Sequence, residues 1–223
     1  MSCQSQLCWY DLIPLISFFV LVGRCRSCKS KISIAYPLVE LITGIIFAGL
    51  FLKFRDVFFA DTFIFAVTYA YYSTVFSLLV VIAAYDLKHK IIPDVLAFIF
   101  GLLTFCGLFL FGAYGFFPHL PSLLEFLSGL MVALPFVALW LVSNGAWMGL
   151  GDGKLALGLG WLLGTSRVLS GVVIAFWSGA IIGIVLILFS KKHQMKSEIP
   201  FAPFLVFGTI LAFLFELHLF PVF

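Results

Sequence analysis

Long apolar runs separated by short polar clusters dominate this chain. A membrane-spanning helix needs about 20 mainly apolar residues. On that measure spans are predicted at residues 37–52, 62–84, 94–111, 123–142, 168–188 and 200–220. A shorter stretch, 155–163, lies between Asp152 and Arg167. It is about half a normal span, so it must thin the bilayer locally or be partly buried in protein. Counting it gives seven crossings. Segment 12–22 is apolar too, but it is short and contains Pro14, and it reads as an interfacial or cytoplasmic helix.

Composition points the same way. Of 223 residues, 63% are hydrophobic and 10% charged, where a soluble domain carries roughly 45–50% and about 25%. Too little polar surface remains to coat a soluble sphere, and mean hydropathy is +1.19. This excludes a soluble enzyme, a disordered segment and a nucleic-acid-binding domain. The strict alternation of an outer-membrane barrel is missing as well. The expected fold class is all-α, a polytopic helical membrane protein. It divides into a small cytoplasmic segment at 1–35 and a transmembrane domain at 36–223, with the lipid bilayer as its solvent.

Cytoplasmic loops carry an excess of Lys and Arg, which tests the layout. With the N-terminus inside, 10 of the 13 basic residues fall inside and only Lys53, Arg55 and Arg167 outside. Removing the short crossing worsens the split to 8 against 5. The loop at 112–121 contains no Lys or Arg and lies outside.

Acidic residues number only 10, so each can be weighed. Asp11 reads as a helix cap. Asp94, just before the next span, reads first as an N-cap and second as a catalytic acid. Asp56, Asp61 and Glu198 read as solvated loop residues, and Glu125 and Glu216 as structural. Glu40, about one turn inside its helix, is less easily dismissed. Asp86 ends the apolar run VVIAAYD, and Asp152 sits in MGLGDGK between two apolar stretches. Both are predicted at the cytoplasmic face, on different helices that a bundle can bring together. Carboxylates at this depth are costly and mark function by default; the competing reading places both in wet loops.

Two carboxylates that share a site can divide one proton, because like charges at close range do not both ionise cheaply. The ionised member takes a proton from water while the protonated one polarises a peptide carbonyl. Such chemistry needs no metal and no covalent intermediate. Gly149, Gly151 and Gly153 would let the backbone turn sharply, approach another helix and leave room for an extended peptide. Lys154 either steadies the site, holds a peptide carbonyl or snorkels to the interface.

YDLKHKIIPD and MGLGDGKLALGLGWLLG resemble the two aspartate motifs of the type IV prepilin peptidases, bacterial leader peptidases of the GxGD membrane aspartyl protease class. WYDLIPLISFFVLVGRCRSCKSKISIAYPLVELITG is similar to that family's N-terminal cytoplasmic region, and EIPFAPFL to the proline-rich start of its last helix. The resemblance runs from about Cys3 to the last span. It implies that Asp86 and Asp152 form a catalytic pair. It also implies that prepilin or pseudopilin leaders are cut at the cytoplasmic face of the bacterial inner membrane, after a Gly that follows basic leader residues. Family members often methylate the new N-terminus using S-adenosylmethionine, an activity linked to the region that includes Glu40 and Gly44.

Three departures stand out. Trp147 replaces the first Gly of the family's glycine motif, and Ala202 stands where Gly is usual. Cys3 aligns with the second Cys of a Cys-x-x-Cys pair whose first member would precede Met1, so the chain resembles the family without its usual first helix. Cys25 and Cys28 form a second such pair in a basic loop. A disulfide is not expected in a reducing cytosol. Cys3, Cys8, Cys25 and Cys28 either hold a structural zinc, which needs four ligands, or stay as thiols; Cys106 reads as packing. The alternative to a peptidase is a membrane transporter that uses intramembrane acids, but a transport relay would spread its acids through the membrane.

Overall fold

The computed structural model describes residues 13–112, 115–189 and 199–219. The chain divides into two units, Met1–Ala48 and Gly49–Phe223.

The first unit holds α1 (Pro14–Val20) and the start of α2 (Ala35–Ala60). Pro at the first helical position suits α1, because that N–H has no intrahelical partner. The chain leaves α1 through Val22 and Gly23, both at positive φ. It then closes a small knuckle in which Arg24 bridges Lys31 and the Cys25 N–H donates to Ser30 O over 2.9 Å. Cys25 and Cys28 sit on this knuckle, with Cys28 Sγ 3.1 Å from Ser30 Oγ. Cys3, Cys8 and Asp11 lie outside the described residues.

In the second unit the regular structure among the described residues is helical, apart from one short hairpin. The unit holds α3 (Thr62–His89), α4 (Asp94–Leu110), α5 (Leu123–Ser143), α6 (Leu150–Phe189) and α7 (Ala202–Leu214). The two-residue strands β1 (Phe111–Gly112) and β2 (Gly115–Phe116) pair antiparallel in the loop after α4. The all-α class is therefore borne out. By length and apolar composition α2, α3, α5 and α6 are each sufficient to cross a membrane; α4 and α7 are shorter apolar helices.

Helix α6 takes in both the short stretch 155–163 and the predicted span 168–188. It is not one rod. Gly164 has φ 72° and ψ 171°, outside helical geometry, and the chain doubles back there. A straight helix would hold Asp152 and Gly179 about 40 Å apart, yet both line one cavity. Phe136 touches both arms, its Cβ 3.7 Å from where a Cβ on Gly153 would lie and its ring centroid 6.2 Å from that of Phe176. The two stretches read separately in the sequence are thus two antiparallel arms, 150–163 and 165–189.

Lipid tails are as apolar as Leu, so helices in a bilayer gain specificity from close packing rather than from escape from water. Small residues provide it here. A Cβ on Gly160 would lie 2.5 Å from Gly129 Cα and 2.6 Å from Ser128 O, so α5 and the first arm of α6 meet backbone to backbone. The Ser128 hydroxyl reinforces the contact with a 2.9 Å bond to Gly160 O. Gly171 and Gly208 bring the second arm against α7 in the same way. Phe76, Leu79, Ile82, Phe100, Leu155 and Leu205 fill the space between and are fully buried. Cys106 is exposed on α4, so the packing role expected for it does not hold.

Of the other acids, Asp56, expected in a loop, lies inside α2 beside Arg55, because the helix runs on to Ala60, whereas three sit at or near helix ends. Asp61, expected to be solvated, caps α3 by accepting from the Phe63 and Ile64 N–H groups at 2.8 and 3.1 Å. Glu125 completes a capping box with Ser122 at the start of α5. Glu216 pairs with Lys53 at 2.6 Å. Glu198 lies outside the described residues.

Candidate active site

Asp86 sits one turn before the end of α3 and is 4% exposed. The helix stops there because Lys90 adopts a left-handed conformation, its N–H donating to Asp86 O over 2.7 Å. Asp152 lies in the first turn of α6 and is 9% exposed. Both line one cavity of about 910 Å³. The tertiary fold thus brings together the two acids singled out in the sequence.

A third element reaches this pair. The Ala202 N–H, the first of α7, donates to Asp86 Oδ2 over 3.1 Å in a buried contact. The first N–H groups of a helix have no intrahelical acceptor, and this end carries partial positive charge, so it suits an acid. Pro200 and Pro203 flank the donor without competing for the carboxylate, because proline lacks an N–H. Sequence reasoning read these prolines only as a helix start. The carboxylate partner was not legible because a backbone donor has no residue signature.

The glycine motif works differently from expectation. Gly149, Gly151 and Gly153 do not have positive φ; the left-handed residues of this loop are Asn144 and Gly145. Gly151 and Gly153 serve close approach. A Cβ on Gly151 would sit 3.0 Å from Ile92 Cβ, and one on Gly153 3.2 Å from Val137 Cγ2. Gly149 remains exposed at the cavity, where a Cβ would lie 3.7 Å from Asp152 Oδ2. Trp147, in place of the family's first glycine, is 74% exposed and stands at the cavity rim.

Asp94 is not the N-cap of α4. Pro93 holds that position, and the Asp94 carboxylate accepts from Lys154 Nζ over 2.6 Å. Of the readings open for Lys154, this pair favours the one that steadies the site. The His89 ring lies tilted against Tyr85, with centroids 4.4 Å apart, and does not line the cavity. The apolar part of the cavity lining includes Phe176, Phe201 and Phe204, residues that the sequence did not single out. Their positions, 24 or more residues from either acid, gave no local signal.

Among the described residues no three His, Cys, Asp or Glu side chains gather as a metal site. Cys25 and Cys28 supply two of the four ligands a tetrahedral zinc needs, and the other two candidates lie outside the described residues.

The profile of the type IV leader peptidase family matches residues 73–214, the interval that carries both aspartates. The chain belongs to the type IV leader peptidase family. The bacterial Peptidase A24 N-terminal domain matches residues 1–54. A prepilin leader peptidase/N-methyltransferase of Bacillus subtilis is 30% identical over 216 residues, covering 96% of this chain and 79% of that protein. The protein of the same description from Xanthomonas campestris is 31% identical over 94% of this chain and 69% of its own length. For the one from Myxococcus xanthus the figures are 33%, 88% and 55%. No solved structure matches the chain.

Proposed function

We propose that this leader peptidase family member is a membrane aspartyl endopeptidase that removes the leader of type IV prepilins or pseudopilins, with Asp86 and Asp152 as its catalytic pair. One observation carries the reading: two buried carboxylates from distant helices line the same cavity at the positions of the family's aspartate motifs. The pair holds one proton between its two acids and titrates as a unit. The ionised acid takes a proton from a water placed between them. The protonated acid donates to the scissile carbonyl oxygen as the tetrahedral centre forms, then the pair returns a proton to the leaving amine. Ala202 N–H fixes Asp86 during these transfers. The Phe176, Phe201 and Phe204 wall receives the apolar start of the mature pilin, which puts the leader junction at the acids.

The site faces the cytoplasm of the bacterial inner membrane in this proposal, because the basic residues crowd that side. N-methylation of the new terminus with S-adenosylmethionine, and a structural zinc on Cys3, Cys8, Cys25 and Cys28, belong to the same reading. Mass spectrometry of the processed product and metal analysis of the purified chain test them. A transporter fits less well, since both acids gather at one cavity instead of forming a relay through the membrane.

The deciding experiment is cleavage of a prepilin-type peptide by the purified protein in detergent. Wild type cuts it, and Asp86→Asn and Asp152→Asn each do not while remaining folded. Full processing by either variant rejects the assignment.

A further inference from the structure

A second cavity, of about 140 Å³, lies at the other end of the helical bundle. Its lining includes Lys53, Tyr71, Tyr72, Trp161, Gly164 and Arg167. Leu163, in the same lining, is eleven residues along the first arm of α6 from Asp152, which puts this cavity about 16 Å from the acid along that helix. It shares no lining residue with the acid cavity.

Its charge is unusual for such an apolar chain. Lys53 is fixed on two sides, with Glu216 at 2.6 Å and the Phe213 ring centroid 5.1 Å from Nζ. An ammonium has three donors, and Glu216 takes one. Glu125 also lines the cavity, but its Oε2 is engaged by the Ser122 N–H and hydroxyl at 2.8 and 2.9 Å. Arg167 differs from both. Its Nε is buried and has no protein hydrogen-bond partner among the described residues, and no carboxylate there reaches ion-pair distance of its guanidinium, although the Glu216 carboxylate held by Lys53 feels its charge. A buried unsatisfied guanidinium donor is costly. The reversal at Gly164 is what turns Arg167 toward the cavity, three residues beyond the break.

From this we propose that the second cavity is a binding site for a phosphate oxyanion, held by the Arg167 fork and the remaining donors of Lys53. Guanidinium groups recognise phosphate through paired N–H donors, and an ammonium adds a point charge. The phosphate belongs either to an anionic lipid headgroup at the membrane surface or to a soluble phosphate. The site is independent of the peptidase assignment.

The test uses the full chain purified in a nonionic detergent. Its thermal midpoint is followed against inorganic phosphate at constant ionic strength, and separately against phosphatidylglycerol with diacylglycerol as the control that lacks phosphate. A bound ligand raises the midpoint in a saturable way. A response to phosphatidylglycerol alone assigns a lipid headgroup; a response to free phosphate assigns a soluble ligand; both support the site. Arg167→Gln is expected to raise the half-saturating concentration at least tenfold. Arg167→Lys, which keeps the charge and loses the fork, raises it several-fold and serves if the Gln variant does not fold. No saturable response to either ligand overturns the proposal, as does unchanged affinity in Arg167→Lys.

Discussion

The Ala202 N–H donates to Asp86 Oδ2 over 3.1 Å, tying the first residue of α7 to the last turn of α3. These residues are 116 positions apart in sequence. The bond gives one member of the acid pair a fixed orientation, and it needs nothing from the Ala202 side chain.

That bond makes Asn the informative replacement for Asp86. Asn retains an oxygen for the Ala202 N–H while removing the exchangeable acid proton, so Asp86→Asn is expected to fold and to lose activity. Positioned acid–base groups contribute about 10²–10⁴-fold to rate. Under the proposed shared-proton mechanism, the Asp86→Asn/Asp152→Asn double variant is expected to be about as slow as either single one. Peptide cleavage rates across the four proteins check this, and multiplicative losses would contradict a shared role.

The Lys154–Asp94 pair stands at the cavity rim, with side chains 43% and 77% exposed. Exposed ion pairs contribute about 0–1 kcal/mol, so Lys154→Ala should leave the thermal midpoint nearly unchanged. Neither residue hydrogen-bonds to Asp86 or Asp152, so the effect is expected in KM, with kcat within about twofold. Exchanging the charges, Lys154→Asp with Asp94→Lys, should recover most of the loss. Steady-state kinetics on wild type, Lys154→Ala and the charge-exchanged double variant decide the point.

Gly160 and Gly101 form a matched test of close packing. A Cβ on Gly160 would meet backbone at 2.5 and 2.6 Å, whereas one on Gly101 meets nothing within 4 Å. Overpacking costs about 1–3 kcal/mol, so Gly160→Ala should lower the unfolding midpoint. Gly101→Ala should hold or raise it, by up to about 1 kcal/mol, because Ala favours a helix interior. Thermal unfolding in detergent reads both.

The Lys53–Glu216 pair joins α2 to the segment after α7. The Lys53 side chain is 12% exposed, so Glu216→Gln leaves its ammonium half-satisfied, with only the Phe213 ring beside it. A modest fall in thermal midpoint is expected, and Lys53→Met should recover part of it by removing the stranded charge. Similar midpoints for Glu216→Gln and the double variant would show that the pair carries no such cost.

Much of this protein was legible from the order of its residues. Apolar runs mark the helices because the bilayer demands internally bonded segments of set length. Asp86 and Asp152 stand out because a carboxylate costs so much beside such runs. Even the division of α6 was visible, since a run of nine apolar residues between Asp152 and Arg167 is too short to be an ordinary span.

What only the tertiary structure decided are the relationships between segments far apart in the chain. Sequence placed Asp94 at a helix start but not against Lys154, 60 residues later. It marked Gly151 and Gly153 as special, yet it did not distinguish a turn from contact with Ile92 and Val137. It counted Arg167 as a loop cation, and the reversal at Gly164 made it a cavity residue. The physical reason is common to all three. Hydrophobic length is local and additive along a chain, whereas a hydrogen bond or a close approach depends on the crossing of two helices, which their packed surfaces set jointly.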